Sequence, residues 1–324
     1  MALSIMGLDL KDKRLLFELD KNSRASLTDL AKKLKTSKEV IHYRLNKLIE
    51  EKYILRFHTV PCTYRLGLVA YKVYLRLHDI SKKNFEELVD YLLKNKDVFW
   101  VGISRGRWDL MFGIWAKGVE DFFVIHDKIM DKFSKYIQEK ELSMSRENLQ
   151  YNRRWLYNDN TPTSEFNFGE KEEKIELDEE DKLILDELVK DSRAKIIDLA
   201  DKTKLSVDVV SYRIKKMEKQ KIIRGYKCLW NVEKMGFVTC KSFIFFKNIT
   251  EEKKKEFINY FKNIKNSVNI VVTFAPWDLE LELETENYES YFKLMDEIKE
   301  KFSDIIKMYD SVLITSEAKQ VFAK

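Results

Sequence analysis

Cysteine, proline and glycine are all scarce in this chain, and each scarcity closes off a class of protein. The three cysteines, Cys62, Cys228 and Cys240, are scattered with no CxxC spacing. This argues against a zinc site and a disulfide framework, and it fits a reducing cytoplasm. No metal is expected. No apolar run reaches the roughly 18 residues that a membrane span needs. The opening stretch, MALSIMGLDLKDK, lacks a signal-peptide pattern. Neither a glycine-rich phosphate loop nor a Ser-His-Asp or paired-carboxylate signature is present, so no catalytic residue and no cofactor are expected. Histidine is also rare. His42, His58, His78 and His126 are far apart in sequence, and none suggests a shared site.

What is present is a chain of 324 residues, long enough for two to four domains. A hydrophobic fraction of 44% supports a folded core, and 35% of residues are charged, with a net charge of +5. That mild excess of cations permits nucleic-acid binding without demanding it.

The sequence repeats itself at an offset of 169 residues. LDLKDKRLLFELDKNSRASLTDLAKKL from Leu8 aligns with LDEEDKLILDELVKDSRAKIIDLADKT from Leu177, with no gap. Of the 50 residues from Leu8 to Phe57, 23 are identical in the second copy. Further on, Gly67 falls on Gly236 and Trp108-Asp109 on Trp277-Asp278. The chain is a tandem duplication of one unit.

Within each unit, Asp9 and Asp178 are suited to cap a first helix with seams Leu15, Leu16, Leu19 and Ile184, Leu185, Leu188. Asn22-Ser23-Arg24-Ala25 breaks that helix. A second helix is expected over Thr28–Leu34. After the turn at Lys35-Thr36, Ser37 caps a third helix whose Ile41, Leu45 and Leu48 share one face. Its other faces carry Lys38, Glu39, His42, Tyr43 and Asn46, flanked by Arg44 and Lys47. Three helices with so short a last turn form a helix-turn-helix. YILRFHTV then reads as a strand or wing ended by Pro61.

The rest of the unit changes period. Leu68–Leu77 alternates, placing Tyr71, Val73, Leu75 and Leu77 on one face. Phe85–Leu93 is helical, Val98–Ser104 and Trp108–Ala116 read as a hairpin, and Val119–Phe133 is a helix with Phe122, Phe123, Ile125, Ile129 and Phe133 inward. A last strand is expected at Lys140–Ser145. The order β-α-β-β-α-β is the ferredoxin-like plan. The fold class is therefore α+β, two copies of a winged helix-turn-helix plus a ferredoxin-like domain. Expected boundaries are 1–60, 61–155, a flexible linker at 156–176, then 177–229 and 230–324.

LDLKDKRLLFELDKNSR, SKEVIHYRLNKL and GRWD, in this order on this architecture, resemble the Lrp/AsnC (feast/famine) family of transcription regulators across nearly all of both units. The resemblance implies double-stranded DNA binding by the first domain. From the second, called RAM, it implies dimerisation and sensing of a small-molecule effector, often an amino acid. Family members usually have one unit, so this chain resembles a covalent pseudo-dimer that could assemble further.

Carried over by position, Ser37, Lys38, His42 and Tyr43 face bases or phosphates, and Arg44 and Lys47 meet the DNA backbone. Ser206, Ser211, Tyr212, Arg213 and Lys216 take these places in the second unit. The effector pocket is implied near Ser104, Gly106 and Asp109, with a turn residue satisfying backbone N–H groups as the alternative role for Asp109. The second unit reads Ala275-Pro276-Trp277-Asp278 there and lacks the glycine. Enzymes that decarboxylate sirohaem share the two-domain architecture and form the alternative reading. A RAM sensor with decayed DNA binding is a third.

The copies differ in two physical respects. Leu8–Phe57 holds 13 Lys and Arg against 8 Asp and Glu, a net +5, whereas Leu177–Tyr226 holds 12 against 11, a net +1. The first helix-turn-helix should therefore supply more of the phosphate attraction. The second difference lies in the sheets. Asp278, Glu280, Glu282 and Glu284 share one face of WDLELELE, with Trp277, Leu279, Leu281 and Leu283 on the other. Unit one instead offers Asp109, Met111, Gly113 and Trp115 beside Lys72, Tyr74 and Arg76. Either the two open faces pack together within one chain, or the acids are simply solvated.

Overall fold

The computed structural model describes residues 7–157, 165–168 and 173–320. Each unit opens with three helices. In the first they are α1 (Leu10–Lys21), α2 (Leu27–Leu34) and α3 (Lys38–Glu50). Asp9 caps α1 through a reciprocal box with Asp12, and Ser26 and Ser37 cap α2 and α3. Lys35 takes a left-handed conformation at φ 51° that closes α2 and sets up the tight turn. Leu15, Leu16, Leu19, Leu30, Ile41, Leu45 and Leu48 form their common core.

β1 (Ile54–Pro61) does not fold back as a wing within its own unit. It pairs antiparallel with its own duplicate, β7 (Ile223–Trp230), forming a two-stranded ribbon between the units. β1 ends at Pro61, its last residue.

The ferredoxin-like part of unit one comprises β2 (Val69–Leu77), α4 (Lys82–Lys94), β3 (Val98–Gly106), β4 (Leu110–Ala116), α5 (Val119–Phe133) and β5 (Ile137–Tyr151). Helices α4 and α5 cover the face carrying Tyr71, Val73 and Leu75. Phe123, expected inward, is 41% exposed. A short strand, β6 (Glu165–Phe168), pairs with the end of β5.

Unit two repeats the plan. Its helices are α6 (Glu179–Lys190), α7 (Ile196–Thr203) and α8 (Val207–Lys219), followed by β7. Then come β8 (Val238–Phe246), α9 (Glu251–Asn263), β9 (Ser267–Phe274), β10 (Leu279–Thr285), α10 (Tyr288–Lys301) and β11 (Ile306–Gln320).

The two ferredoxin-like sheets join into one. The order β2-β4-β3-β11-β8-β10-β9-β5 closes on itself through β2–β5, and β6 hangs from β5. The closure depends on the long last strands. Ile137–Met144 of β5 pairs with β2 of its own unit, and Met144–Gln150 pairs with β9 of the other. β11 does the same with β8 and β3. This is why β5 extends well beyond the expected Lys140–Ser145.

The stretch expected as a flexible linker is partly built into the fold. Leu156 is buried against α1's core, residues 165–168 form β6, and the Ile175 amide donates to the Arg65 carbonyl. Residues 158–164 and 169–172 of that stretch lie outside the described residues.

Candidate nucleic-acid interface and the paired sheets

The two third helices are the exposed features that most resemble a nucleic-acid reading surface. On α3 the Ser37 hydroxyl accepts the Val40 amide at 3.3 Å, and on α8 Ser206 accepts Val209 at 3.3 Å. Ile41, Leu45 and Leu48 are buried, as are Val210, Ile214 and Met217, so the polar faces must point outward. Tyr43 and Tyr212, at equivalent positions, are 69% and 68% exposed. Lys38, His42, Asn46 and Lys47 are exposed on α3. Ser211 and Lys216 are half-buried on α8.

Arg44 and Arg213, expected at the DNA backbone, each hold ion pairs within the fold. Arg44 reaches Asp9 at 2.8 Å and Asp12 at 2.6 Å, at the start of α1. Arg213 reaches Asp178 at 2.7 Å and Asp181 at 2.8 Å. These arginines act as struts that fix the third helix against the first. Lys216 also reaches Asp181, at 3.3 Å. Lys47 lies 3.9 Å from Glu51.

A second rigid contact lies at the helix-breaking tetrapeptide. The Ser23 and Ser192 hydroxyls meet at 2.7 Å in a fully buried seam across the pseudo-two-fold axis. Arg193 donates to the carbonyls of Ser23 at 2.6 Å and Ala25 at 3.0 Å. Arg24 reciprocates to Ser192 and Ala194. Ser-Arg-Ala is identical in the two copies, a signal whose meaning as an interface was not legible from position alone. The seam and the β1–β7 ribbon fix the separation of α3 and α8.

Away from the helices, the two open sheet faces do pack together. Glu280, from β10, is 1% exposed, and its carboxylate meets Lys72 at 2.7 Å, Lys241 at 3.3 Å and the Tyr74 hydroxyl. Burial alone would raise the Glu280 carboxyl. The two ammonium groups and their hydrogen bonds outweigh it and hold the carboxyl at about 2. For Lys72 burial wins and lowers the ammonium, whereas Lys241, which faces both Glu280 and Glu282, is raised.

Tyr74, Trp108, Met111, Phe243 and Trp277 fill the rest of the layer. Trp277 therefore lies between the sheets rather than under the helices with Leu279, Leu281 and Leu283. Farther along, Glu284 receives Arg153 at 2.8 Å and the Trp155 indole at 2.8 Å. Arg153 also reaches Asp20 of α1 at 3.3 Å.

The three residues implied for an effector pocket each have a partner inside the fold. The Ser104 hydroxyl donates to the Trp108 carbonyl at 2.7 Å, and Asp109 accepts the Leu77 amide at 2.8 Å. Gly106 adopts φ +122°, and a Cβ there would stand 2.7 Å from the Ser311 carbonyl. It is needed where β3 runs against β11, with Gly106 opposite Val312. The equivalent ladder, β9 on β5, stops at Phe274 opposite Met144, so Ala275 is under no such constraint.

Comparison with known proteins settles the ancestry. A winged helix-turn-helix DNA-binding family profile matches residues 8–54 and 177–224. An uncharacterized HTH-type transcriptional regulator of Pyrococcus furiosus is 35% identical over 117 residues, covering 35% of this chain and 77% of that protein. The chain belongs to the Lrp/AsnC family of transcription regulators. The HTH-type transcriptional regulator LrpA of Pyrococcus horikoshii is 39% identical over 61 residues, 19% of this chain and 43% of that one. Because most of the P. furiosus relative corresponds to about a third of this chain, the chain carries two Lrp/AsnC units in one polypeptide. A solved structure of the siroheme decarboxylase NirDL shares the fold over 97% of this chain and 94% of its own, with a TM-score of 0.65 at 12% identity. At that identity the likeness speaks of fold alone.

Proposed function

We propose that this chain is a sequence-specific DNA-binding transcription regulator of the cytoplasm, built as a covalent pseudo-dimer that offers two unequal reading helices to one stretch of double-stranded DNA. One observation carries the reading. Two exposed recognition faces, each with an unburied tyrosine, are held at a fixed separation by the Ser23–Ser192 seam and the β1–β7 ribbon. A fixed pair of helices fits two half-sites about one helical turn apart.

Ser37, Lys38, His42, Tyr43 and Lys47, with Ser206, Ser211, Tyr212 and Lys216, are the groups that meet bases and phosphates. Arg44 and Arg213 position the helices. At positions 38, 39 and 42 unit one has Lys, Glu and His, and unit two has Val, Asp and Ser. Side chains at such places read base edges, so the preferred site is an imperfect palindrome.

The four histidines support a regulator over an enzyme. His42 is on α3, His58 within the β1–β7 ribbon, His78 after β2 and His126 on α5. Burial holds His58 down at about 3, so it is neutral in ordinary conditions. Two titrations test the reading. Fluorescence anisotropy with a selected duplex should show at least tenfold weaker binding for Tyr43→Ala. Addition of sirohaem should give no bound Soret band. A stoichiometric Soret shift with unchanged DNA affinity in the variant would favour the enzyme.

A further inference from the structure

The two long last strands cross between the sheets in the same way, yet their far edges are finished differently. β5 leaves β2 at Met144 and continues along β9, and its other edge there carries β6, which pairs with Asn148–Tyr151. β11 leaves β8 at Ile314 and continues along β3 to Gln320. Among the described residues, no strand covers the other edge of that stretch. Thr315, Ser316, Glu317 and Ala318 are exposed, whereas Leu149, the counterpart of Ala318, is buried. An open edge presents main-chain N–H and C=O groups ready to pair with another strand.

Substitutions at duplicate positions keep this second edge open. The Tyr64 hydroxyl donates to the Ser145 carbonyl, just where β5 parts from β2. Shifted by 169 residues, these two are Glu233 and Ile314. A carboxylate has no hydrogen to give a carbonyl. Phe166 of β6 lies against Gly225, where a Cβ would meet its ring at 2.0 Å. The counterpart of Gly225 is Arg56, whose guanidinium bonds the Gln320 carbonyl and closes the far end of the edge. Between these points lies a crevice of about 400 Å³. Leu313–Glu317 form one wall, and Leu55, Leu229, Trp230, Val232 and Tyr288 surround the rest. Leu55 is 49% exposed there. The charged residues of the lining are Glu233 and Glu317, both acids.

We propose that this edge docks a short extended segment of a partner protein, in which large apolar side chains alternate with lysine or arginine. The four-residue β6 on β5 shows the same kind of pairing already in use on the duplicate strand. Main-chain hydrogen bonds to β11 supply the affinity, and the crevice selects the alternate side chains. Apolar side chains enter between Leu55, Trp230 and Tyr288, and the cations meet Glu233 and Glu317. The stoichiometry is one segment per chain, because the equivalent edge of β5 is taken by β6. The site uses none of the residues assigned to DNA, so it goes beyond the regulator reading and stands or falls separately from it.

The test is selection of a phage-displayed random peptide library on the full chain without DNA, followed by fluorescence anisotropy with the winning peptide. Enriched peptides should alternate apolar and basic residues and bind at one per chain. Binding should protect the amides of residues 315–320 from hydrogen exchange. Leu55→Asn and Glu233→Lys, both at exposed positions, should each weaken it at least tenfold. N-methylation of alternate peptide amides, which leaves every side chain in place, should also cost at least tenfold in one of the two registers. That comparison decides the matter even if a variant fails to fold. No enrichment, protection elsewhere in the chain, or affinity indifferent to N-methylation in both registers would overturn the proposal. So would a dimer seen by light scattering of the chain alone and abolished by Leu55→Asn, which would make a second copy the occupant.

Discussion

Glu280 ties the two units together within the buried layer between the sheet faces. Like Glu284, which holds Arg153 and Trp155, it is fully buried and shared between the two units, through Lys72 and Tyr74 on one side and Lys241 on the other. Replacing it by Gln leaves the buried Lys72 ammonium without its anion and Lys241 with Glu282 alone, a loss of about 3–5 kcal/mol. Urea unfolding of Glu280→Gln should show that drop, and a change under about 1 kcal/mol would mean the charges are solvated after all. The sign of the pH dependence follows from the shift. The carboxyl titrates near 4.5 when unfolded and at about 2 when folded. Its contribution is therefore complete above pH 4.5 and lost as pH falls through about 2.

Gly106 makes a second residue-level case. Gly106→Ala must place a Cβ against the Ser311 carbonyl at a φ that side chains avoid, at a cost of about 1–3 kcal/mol. Ala275→Gly, at the equivalent position, should cost well under that. Thermal unfolding of both variants tests the contrast.

At the scale of elements, hydrophobic period and capping chemistry made much of the fold legible. The Asp9 and Ser37 caps, the seam Ile41-Leu45-Leu48 and the span Val119–Phe133 stand where pattern alone put them. What was not legible depends on partners 169 residues away. Nothing local says that β1 will pair with β7, or that the second half of β5 will be laid on β9. The ion pairs of Arg44 are not legible locally because its acids, Asp9 and Asp12, are remote in sequence. The clue was that the whole trio recurs as Asp178, Asp181 and Arg213. Phe123 is exposed although an aromatic at that helical spacing reads as core.

The seam at Ser23–Ser192 gives the element-scale prediction. Arg193→Met removes two hydrogen bonds that tie the helix-turn-helices together. Affinity for a duplex with both half-sites should fall at least tenfold, while affinity for a single half-site stays within about twofold. An equal fall on both duplexes would place Arg193 in direct DNA contact instead.

As a whole molecule, the chain is a dimer made permanent, and permanence has let its halves diverge. One helix-turn-helix is strongly basic and clamped by a buried ionic network. The other is nearly neutral. Two identical chains could not have specialised in this way, because each substitution would appear on both sides of the axis. The inequality should show in solution as a footprint with one strong and one weak half-site. Lys38→Ala should weaken the strong half and lower the salt slope by about one.

The most direct measurement is selection of bound sequences from a random duplex pool, followed by titration of the winner at two salt concentrations. The account predicts an enriched, imperfectly palindromic site, two half-sites about one turn apart, and a steep loss of affinity with salt. A pool that stays random, with weak binding indifferent to sequence, would contradict it.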